Sequence, residues 1–338
     1  MRIAYDVTPL SHPRTGVGNF ILGALEGILE AAGGEHEVIA FGPVSVRGRK
    51  LLDESLDGLE VERRVVTVPF AHATRRAWGT LRRPAAERFL GAFDVLHFTD
   101  WMRPPQRRGL RATMIHDLGP LHFPERLHPR TVRMHTINAR EAEHCDVVFV
   151  NSEYTANDVV SLLGIPRERL RVAYPGVSPI FTPDGPAGFD KPFVFSTATA
   201  DWRKNGQNLR LACDLLGDET TLIDPGGRAH LGEDSLARLY RGASVFVYPS
   251  RFEGFGMPVV EAMASGTPCV VSSHPSLDEA AGDAAVRVDP ESPEAIAAGI
   301  REALERRDEL VPRGLEHARR FTWLETGRAH LRGYADSL

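Results

Sequence analysis

Lysine is nearly missing from this sequence. Only Lys50, Lys191 and Lys204 stand among 40 basic residues; the rest are arginine. A compact ammonium and a planar guanidinium are not interchangeable, so each retained lysine is a candidate for a specific role. Cysteine is as scarce. Cys145, Cys213 and Cys269 are odd in number, far apart and without C-x-x-C spacing, which points to buried reduced thiols rather than a disulfide framework. The 13 histidines show no close-spaced set resembling a zinc site. No apolar run approaches membrane-spanning length, and the residues after Met1 lack the charged start and long apolar core of a signal peptide. A cytoplasmic protein is expected. A net charge of -5 argues against nucleic acid as a partner.

What is present reads as an α/β protein. At 338 residues, 42% hydrophobic and 25% charged, the chain suits two globular domains of ordinary size. Short β-branched or aromatic runs (Ile3–Val7, Val38–Phe41, Val61–Val68, Val95–Phe98, Thr113–Ile115, Val147–Val150) alternate with amphipathic stretches such as Asn19–Ala32, Pro129–His144 and Ser152–Leu163. Asn19 and Ser152 are the expected N-caps. Residues 175–190 hold four prolines and three glycines and read as a linker. The alternation then restarts at Phe193–Ser196 and runs through Thr221–Ile223, Val245–Tyr248, Cys269–Val271 and Ala285–Val288 to a helical tail. This pattern predicts two doubly wound, Rossmann-like parallel sheets facing a cleft. The expected domains are 1–175 and 176–320, with 321–338 a closing helix returning to the first.

The strongest local signal is Arg251-Phe-Glu-Gly-Phe-Gly-Met-Pro-Val-Val-Glu261. It follows a buried strand, so Glu253 falls in a loop at the carboxyl end of that strand, where open α/β sheets bind ligands. Pro258 suits a first helical turn, and Gly254 and Gly256 allow close backbone approach to a ligand. A helix start there offers free N–H groups to phosphate. Spacing alone leaves a plainer reading level with this one: Glu261 as an acid favoured near a helix N-terminus, Glu253 as a solvated loop carboxylate.

Glu253 and Glu261, followed by Ala262-Met-Ala-Ser-Gly-Thr-Pro268, resemble the E-x7-E signature of retaining glycosyltransferases of family 4, which have the GT-B fold. Further landmarks recur in family order along nearly the whole chain. They are Thr15-Gly-Val-Gly-Asn19, His116-Asp-Leu118, Asn151-Ser-Glu153, Tyr174-Pro-Gly-Val177, Arg203-Lys-Asn205 and Phe321-Thr-Trp323. The resemblance implies a hexosyltransferase using a nucleotide-diphosphate sugar, GDP-mannose or a UDP-sugar. The acceptor is left open as a glycan, a lipid-linked molecule or a small molecule. It further implies that Arg203 and Lys204 grip the diphosphate, that Glu261 takes the ribose hydroxyls, and that Glu253 and His116 stand near the transferred sugar. Gly254, Phe255 and Gly256 form the donor loop. Gly16 and Gly18 are read as a tight loop between strand and helix, close to diphosphate or acceptor. Negative charge grows on the leaving diphosphate, so preorganised cations and N–H donors lower the barrier. No D-x-D triplet occurs to hold a metal, and no cofactor is expected.

Two departures stand out. Ala198 occupies a place where the family usually has glycine. Only Thr220 to Leu231 lies where a strand, a helix and a second strand are usual, so the base is undetermined. Two rivals are an NAD-dependent Rossmann-type oxidoreductase and a non-catalytic GT-B-like protein. The first is weakened because Ile21 replaces the third fingerprint glycine after Gly16 and Gly18. Finally, residues 63–86 hold Arg63, Arg64, Arg75, Arg76, Arg82 and Arg83 without an acid, with Phe70, Trp78 and Leu81 interleaved. Arg103, Arg107, Arg108 and Arg111 cluster around Trp101. These predict a face for an anionic membrane or a phosphate-bearing acceptor.

Overall fold

The computed structural model describes every residue except Asp100, 190–191, 199–200, 218–220 and 225–230. Met1–Gly176 and Trp323–Leu338 form one unit and Val177–Thr322 the other. The first unit is built on seven strands: β1 (Arg2–Asp6), β2 (Glu37–Val44), β3 (Glu62–Thr67), β4 (Val95–Phe98), β5 (Leu110–Ile115), β6 (Val147–Val150) and β7 (Leu170–Val172). They pair in parallel in the order β3-β2-β1-β4-β5-β6-β7. The central strands are apolar on both faces (Ile3, Ala4, Tyr5, Val95, Leu96 and Val147 to Val150 are buried), as a sheet covered on both sides requires. In the second unit β8 (Phe193–Phe195), β9 (Thr221–Ile223), β10 (Val245–Tyr248), β11 (Cys269–Ser272) and β12 (Ala285–Val288) pair in parallel as β12-β11-β10-β8-β9. Sequence order reverses between β1 and β4 in one sheet and between β8 and β10 in the other. Such switch points are where doubly wound sheets open a crevice at their carboxyl ends.

The shortened segment after β9 falls partly on residues 218–220 and 225–230, outside those described; β9 is the one strand between Gly217 and Glu233 among the described residues. One helix start differs from expectation. The helix after β1 begins at Gly16, not Asn19, with Thr15 as N-cap accepting from Gly18 N at 3.4 Å. Gly16 and Gly18 therefore sit in a first helical turn rather than a strand–helix loop. Thr15 and Asn19 are both good cap formers, but Thr15 has the extended backbone that a cap requires.

The acid-free arginine stretch does not make one basic face, because acids reach it from elsewhere in the chain. Arg63 and Arg64 lie on the edge strand β3 and pair with Asp53 and Glu62. Arg75 is buried and donates to the Pro43 carbonyl at 3.2 Å. Arg111 is buried against Glu141 at 2.7 Å, and Arg82 lies 3.7 Å from the same carboxylate. Phe70 and Leu81, 87% and 71% exposed, remain at the surface with Arg76 and Arg83. No described helix is long and apolar enough to cross a membrane.

The helix Trp323–Ala335 closes the first unit against the helix Gly16–Ala32. A Cβ on Gly27 would lie 1.8 Å from the Trp323 carbonyl oxygen, and one on Gly327 2.0 Å from the Gly27 oxygen. Backbone touches backbone. Tyr334 adds a buried hydrogen bond between its hydroxyl and His97 Nδ1 at 2.7 Å, and His330 stacks on Phe149 at 4.4 Å. Gly27→Ala is therefore expected to cost about 1–3 kcal/mol by overpacking. Gly16→Ala, with nothing within 4 Å, should leave stability unchanged or slightly raised. Urea denaturation of both variants checks this; equal midpoints would remove the contact from the account.

Candidate active site

In the second unit the switch point joins two loops. The loop after β8 carries Arg203, Lys204 and Asn205; the loop after β10 carries Pro249 to Gly256. Asn205 has a left-handed backbone (φ 57°), and its buried amide donates to the carbonyls of Pro249 and Pro290 at 3.2 and 2.6 Å. Asparagine tolerates this conformation better than most residues. Arg251 N donates to Arg203 O at 2.7 Å, and Ser250 Oγ lies 3.0 Å from the same oxygen. The two loops are thus strapped together through backbone.

The strap brings Lys204 onto Glu253. The ammonium donates to Glu253 Oε1 at 2.7 Å and to the Tyr248 hydroxyl at 2.5 Å. Tyr248 donates in turn to Glu253 Oε1 at 2.9 Å, and Ser250 Oγ donates to the same oxygen at 2.5 Å. Burial opposes the Lys204 charge, but Glu253 and Tyr248 outweigh it and hold the pKa above the usual lysine value. Arg203 behaves differently. Its guanidinium turns back to Asp201, with Nε and a terminal nitrogen 3.1 and 2.9 Å from Oδ2.

Glu261 is the fifth residue of the helix Met257–Ala264 and is buried. Its Oε2 accepts from the Tyr240 hydroxyl at 3.0 Å. Burial pushes its pKa up to about 7, against the Tyr240 hydrogen bond, and Glu233 adds to the rise. Gly256 opens this helix at φ 102°, where a Cβ would also meet Leu277 at 2.5 Å. Only glycine fits. Gly254 is buried in the same loop, and the Phe255 ring packs on Phe321, its centroid 5.3 Å away.

The first unit holds the remaining candidates. His116 follows β5 directly, its ring edge-on to Phe20 at 4.9 Å. Burial lowers its pKa to about 4, against Asp117, so the ring is neutral near pH 7. It lines a pocket of about 110 Å³ that also reaches Val17, between Gly16 and Gly18 in the first turn of its helix. Among the described residues no cluster of three or more His, Cys, Asp or Glu could hold a metal.

Sequence reading passed over Tyr248, Ser250, Tyr240 and Asp201. Tyr248 and Ser250 flank the end of β10, so a phenol and a hydroxyl beside a candidate glutamate were a usable signal. Tyr240 carries none, because its meeting with Glu261 comes from helix packing alone.

Two parallel α/β units, with an ammonium and a carboxylate held together at the carboxyl ends of strands in the second, define a glycosyltransferase of the GT-B type. The overlay on solved structures agrees. Sucrose-phosphate synthase from Thermosynechococcus elongatus superposes with a TM-score of 0.72 at 19% identity over 99% of this chain and 98% of its own. Anabaena HepE in complex with UDP and glucose gives 0.69 at 15% identity over 99% of both. Residues 15–180 match the model for Glycosyltransferase Family 4, and residues 229–321 that for Glycosyl transferases group 1. The chain thus carries glycosyltransferase domains of both kinds, which removes the oxidoreductase alternative. Among curated proteins it is similar to O-antigen chain mannosyltransferase B of Escherichia coli, 26% identical over 96% of each chain. It is also similar to D-inositol 3-phosphate glycosyltransferase of Mycolicibacterium smegmatis, 28% identical over 58% of this chain and 54% of that one.

The buried Glu261 makes stability depend on pH. Its folded pKa lies above the ordinary carboxylate value, so the folded protein holds this proton more tightly than the unfolded chain. The group's contribution is most favourable below about pH 4.5, declines as pH rises toward 7, and levels off above it. The loss is of order 3 kcal/mol. Glu261→Gln should therefore melt with wild type near pH 5 and above it at pH 8. Parallel melting at both values would show that the carboxylate ionises freely.

Proposed function

We propose that this enzyme transfers a hexose from a nucleotide-diphosphate sugar, with retention of anomeric configuration and without a metal, and that GDP-mannose is the donor. The Lys204–Glu253 contact carries this reading. The second unit is the donor domain and the first the acceptor domain. Leaving diphosphate develops negative charge, and Lys204, already desolvated and oriented by Tyr248, is placed to meet it. Arg203 joins it by exchanging Asp201 for phosphate. Glu253 Oε1 is occupied by three donors, so Oε2 is the atom left to orient sugar hydroxyls and to stabilise oxocarbenium-like charge. Glu261 accepts from the ribose, with Gly254, Phe255 and Gly256 lending backbone to the phosphates. His116 and the helix turn at Gly16 and Gly18 serve the sugar and acceptor side. Mannose is favoured because the mannosyltransferase relative matches over nearly the full length of both chains. UDP-sugars are the second choice.

Thermal shift separates the donors. The right one at a hundredfold excess over Kd should add about 2.7 kcal/mol, and an equal response to GDP-mannose and UDP-glucose would remove the base preference. Glu253→Gln should lower kcat, and Glu261→Ala and Lys204→Ala should raise donor KM. Each effect is roughly ten- to a hundredfold, the loss of one charge-assisted hydrogen bond. Normal turnover in Glu253→Gln and Lys204→Ala, an inverted product by NMR, or activity lost to EDTA and restored by magnesium would contradict the mechanism.

The same reading extends to peripheral contact with an anionic membrane through Phe70, Leu81, Arg76, Arg82 and Arg83, with Arg75 left out because it is buried. Basic residues at such a surface contribute about 1 kcal/mol each, fading with salt. Sedimentation with phosphatidylserine vesicles should fall when Arg76, Arg82 and Arg83 are changed to Ser. Equal amounts of wild type and variant in the supernatant would end the membrane reading.

A further inference from the structure

The pocket beside His116 lies wholly within the first unit, at the carboxyl ends of β4 and β5 and against the helix Pro129–Glu141. Its apolar wall includes Phe98, Met102 and Leu118; beside Thr99 and Thr113 its polar lining has five larger side chains, Arg103, His116, Asp117, His135 and Asn138. Four of these five suit a hydroxylated molecule. The neutral His116 ring gives one N–H and one lone pair, and Asn138 and His135 add further donors and acceptors. Asp117 is partly committed to its own loop, since Oδ1 accepts from Gly119 N at 2.8 Å.

Arg103 does not fit that picture. It is half-buried, and no described residue gives it a hydrogen bond or an ion pair. Its neighbours are treated otherwise: Arg82 and Arg111 share Glu141, and Arg75 holds the Pro43 carbonyl. A partly desolvated guanidinium with five donors and no anion is an unfavourable arrangement unless a ligand completes it. The fold also brings it there by close packing. A Cβ on Gly79 would stand 3.2 Å from both the Arg103 Cβ and its carbonyl oxygen, so the missing side chain lets this segment settle directly on the helix Ala71–Leu81.

We propose that this pocket is the binding site for a polyhydroxylated acceptor that bears a phosphate, with Arg103 as the residue that selects the phosphate. A neutral sugar would use His116, Asn138 and His135 but leave Arg103 without a counter-charge. The phosphate can belong to a free sugar or polyol phosphate or to a lipid headgroup, which present the same chemistry to Arg103. The proposal rests on the glycosyl-transfer reading only in calling the ligand an acceptor; binding at the pocket is independent of the donor.

Titration calorimetry with myo-inositol 1-phosphate and with myo-inositol as probes tests it. Wild type should bind the phosphorylated probe at least tenfold more tightly. Arg103→Gln should erase that difference, and Arg103→Lys, which keeps charge but loses the fork, should keep part of it. Arg107→Gln, at an exposed arginine outside the pocket lining, should behave as wild type. GDP-mannose binding, measured alongside, should be unchanged in Arg103→Gln, which also reports that the variant is folded. Vesicles containing phosphatidylinositol decide the source: Arg103-dependent sedimentation assigns the phosphate to a lipid, and its absence beside soluble binding assigns it to a free compound. Equal affinity for the two soluble probes, no binding of either, or unaltered phosphate preference in Arg103→Gln overturns the proposal. Arg103-dependent phosphate binding in a protein that ignores nucleotide sugars would instead sink the donor reading and leave the pocket standing.

Discussion

The second unit is organised around one ion pair. Lys204 and Glu253 lie 49 positions apart, and their side chains are largely withdrawn from solvent, 22% and 13% exposed. Removing one partner of a buried ion pair costs about 3–5 kcal/mol, so each residue here is stabilised by the other. Several neighbouring features serve to keep the two together. The left-handed Asn205 bends the first loop toward the second, its amide clamps Pro249 and Pro290, and Arg251 N holds the Arg203 carbonyl. Beneath them the sheet order reverses between β8 and β10, and that reversal is why two loops so distant in sequence leave the sheet side by side.

The same pair explains why a lysine persists in an arginine-biased chain. The site offers one carboxylate oxygen and one phenol within 2.7 Å of a single nitrogen, with the phenol ring centroid 4.9 Å from that nitrogen. An ammonium satisfies these from one atom. A guanidinium would bring a planar fork needing two aligned acceptors and more room. Arg203, one residue earlier, shows the alternative: it spreads two nitrogens over one Asp201 oxygen.

Much of this was legible in the sequence, and the exceptions share a cause. Strand cores such as Val95–Phe98, Val147–Val150 and Val245–Tyr248 were readable to the residue because both faces are buried and the runs are apolar apart from His97. Glu253 and Lys204 stood out because loop position and motif agree, and Glu261 stood out by the motif. The start of the helix at Gly16 was not, because two good cap residues compete and the choice depends on backbone geometry. The arginine cluster was legible only in part, for a different reason. Absence of acid within a segment says nothing about Glu141 or Asp53, which arrive from other elements and neutralise part of it. Local patterns report local structure; pairing across the sheet does not appear in them.

The two glutamates of the motif illustrate the remaining gap. Eight positions apart, they look alike in sequence, yet they stand in opposite environments. Glu253 has an ammonium and two hydroxyls on one oxygen. Among the described residues Glu261 meets a single phenol and no cation, and burial lifts its pKa to about 7. Pairs of titratable groups set in contrasting surroundings commonly divide the work of a site. A carboxylate already surrounded by donors is fixed in place, suited to face developing positive charge. One with unfilled acceptor capacity is a cost to the free protein until hydroxyl donors arrive. On the proposed reading those donors are the ribose hydroxyls, whose hydrogen bonds favour the ionised form and lower its pKa. Donor binding would then release a proton and return stability that the empty site lacks. On that reading Glu261 links affinity for the nucleotide to pH.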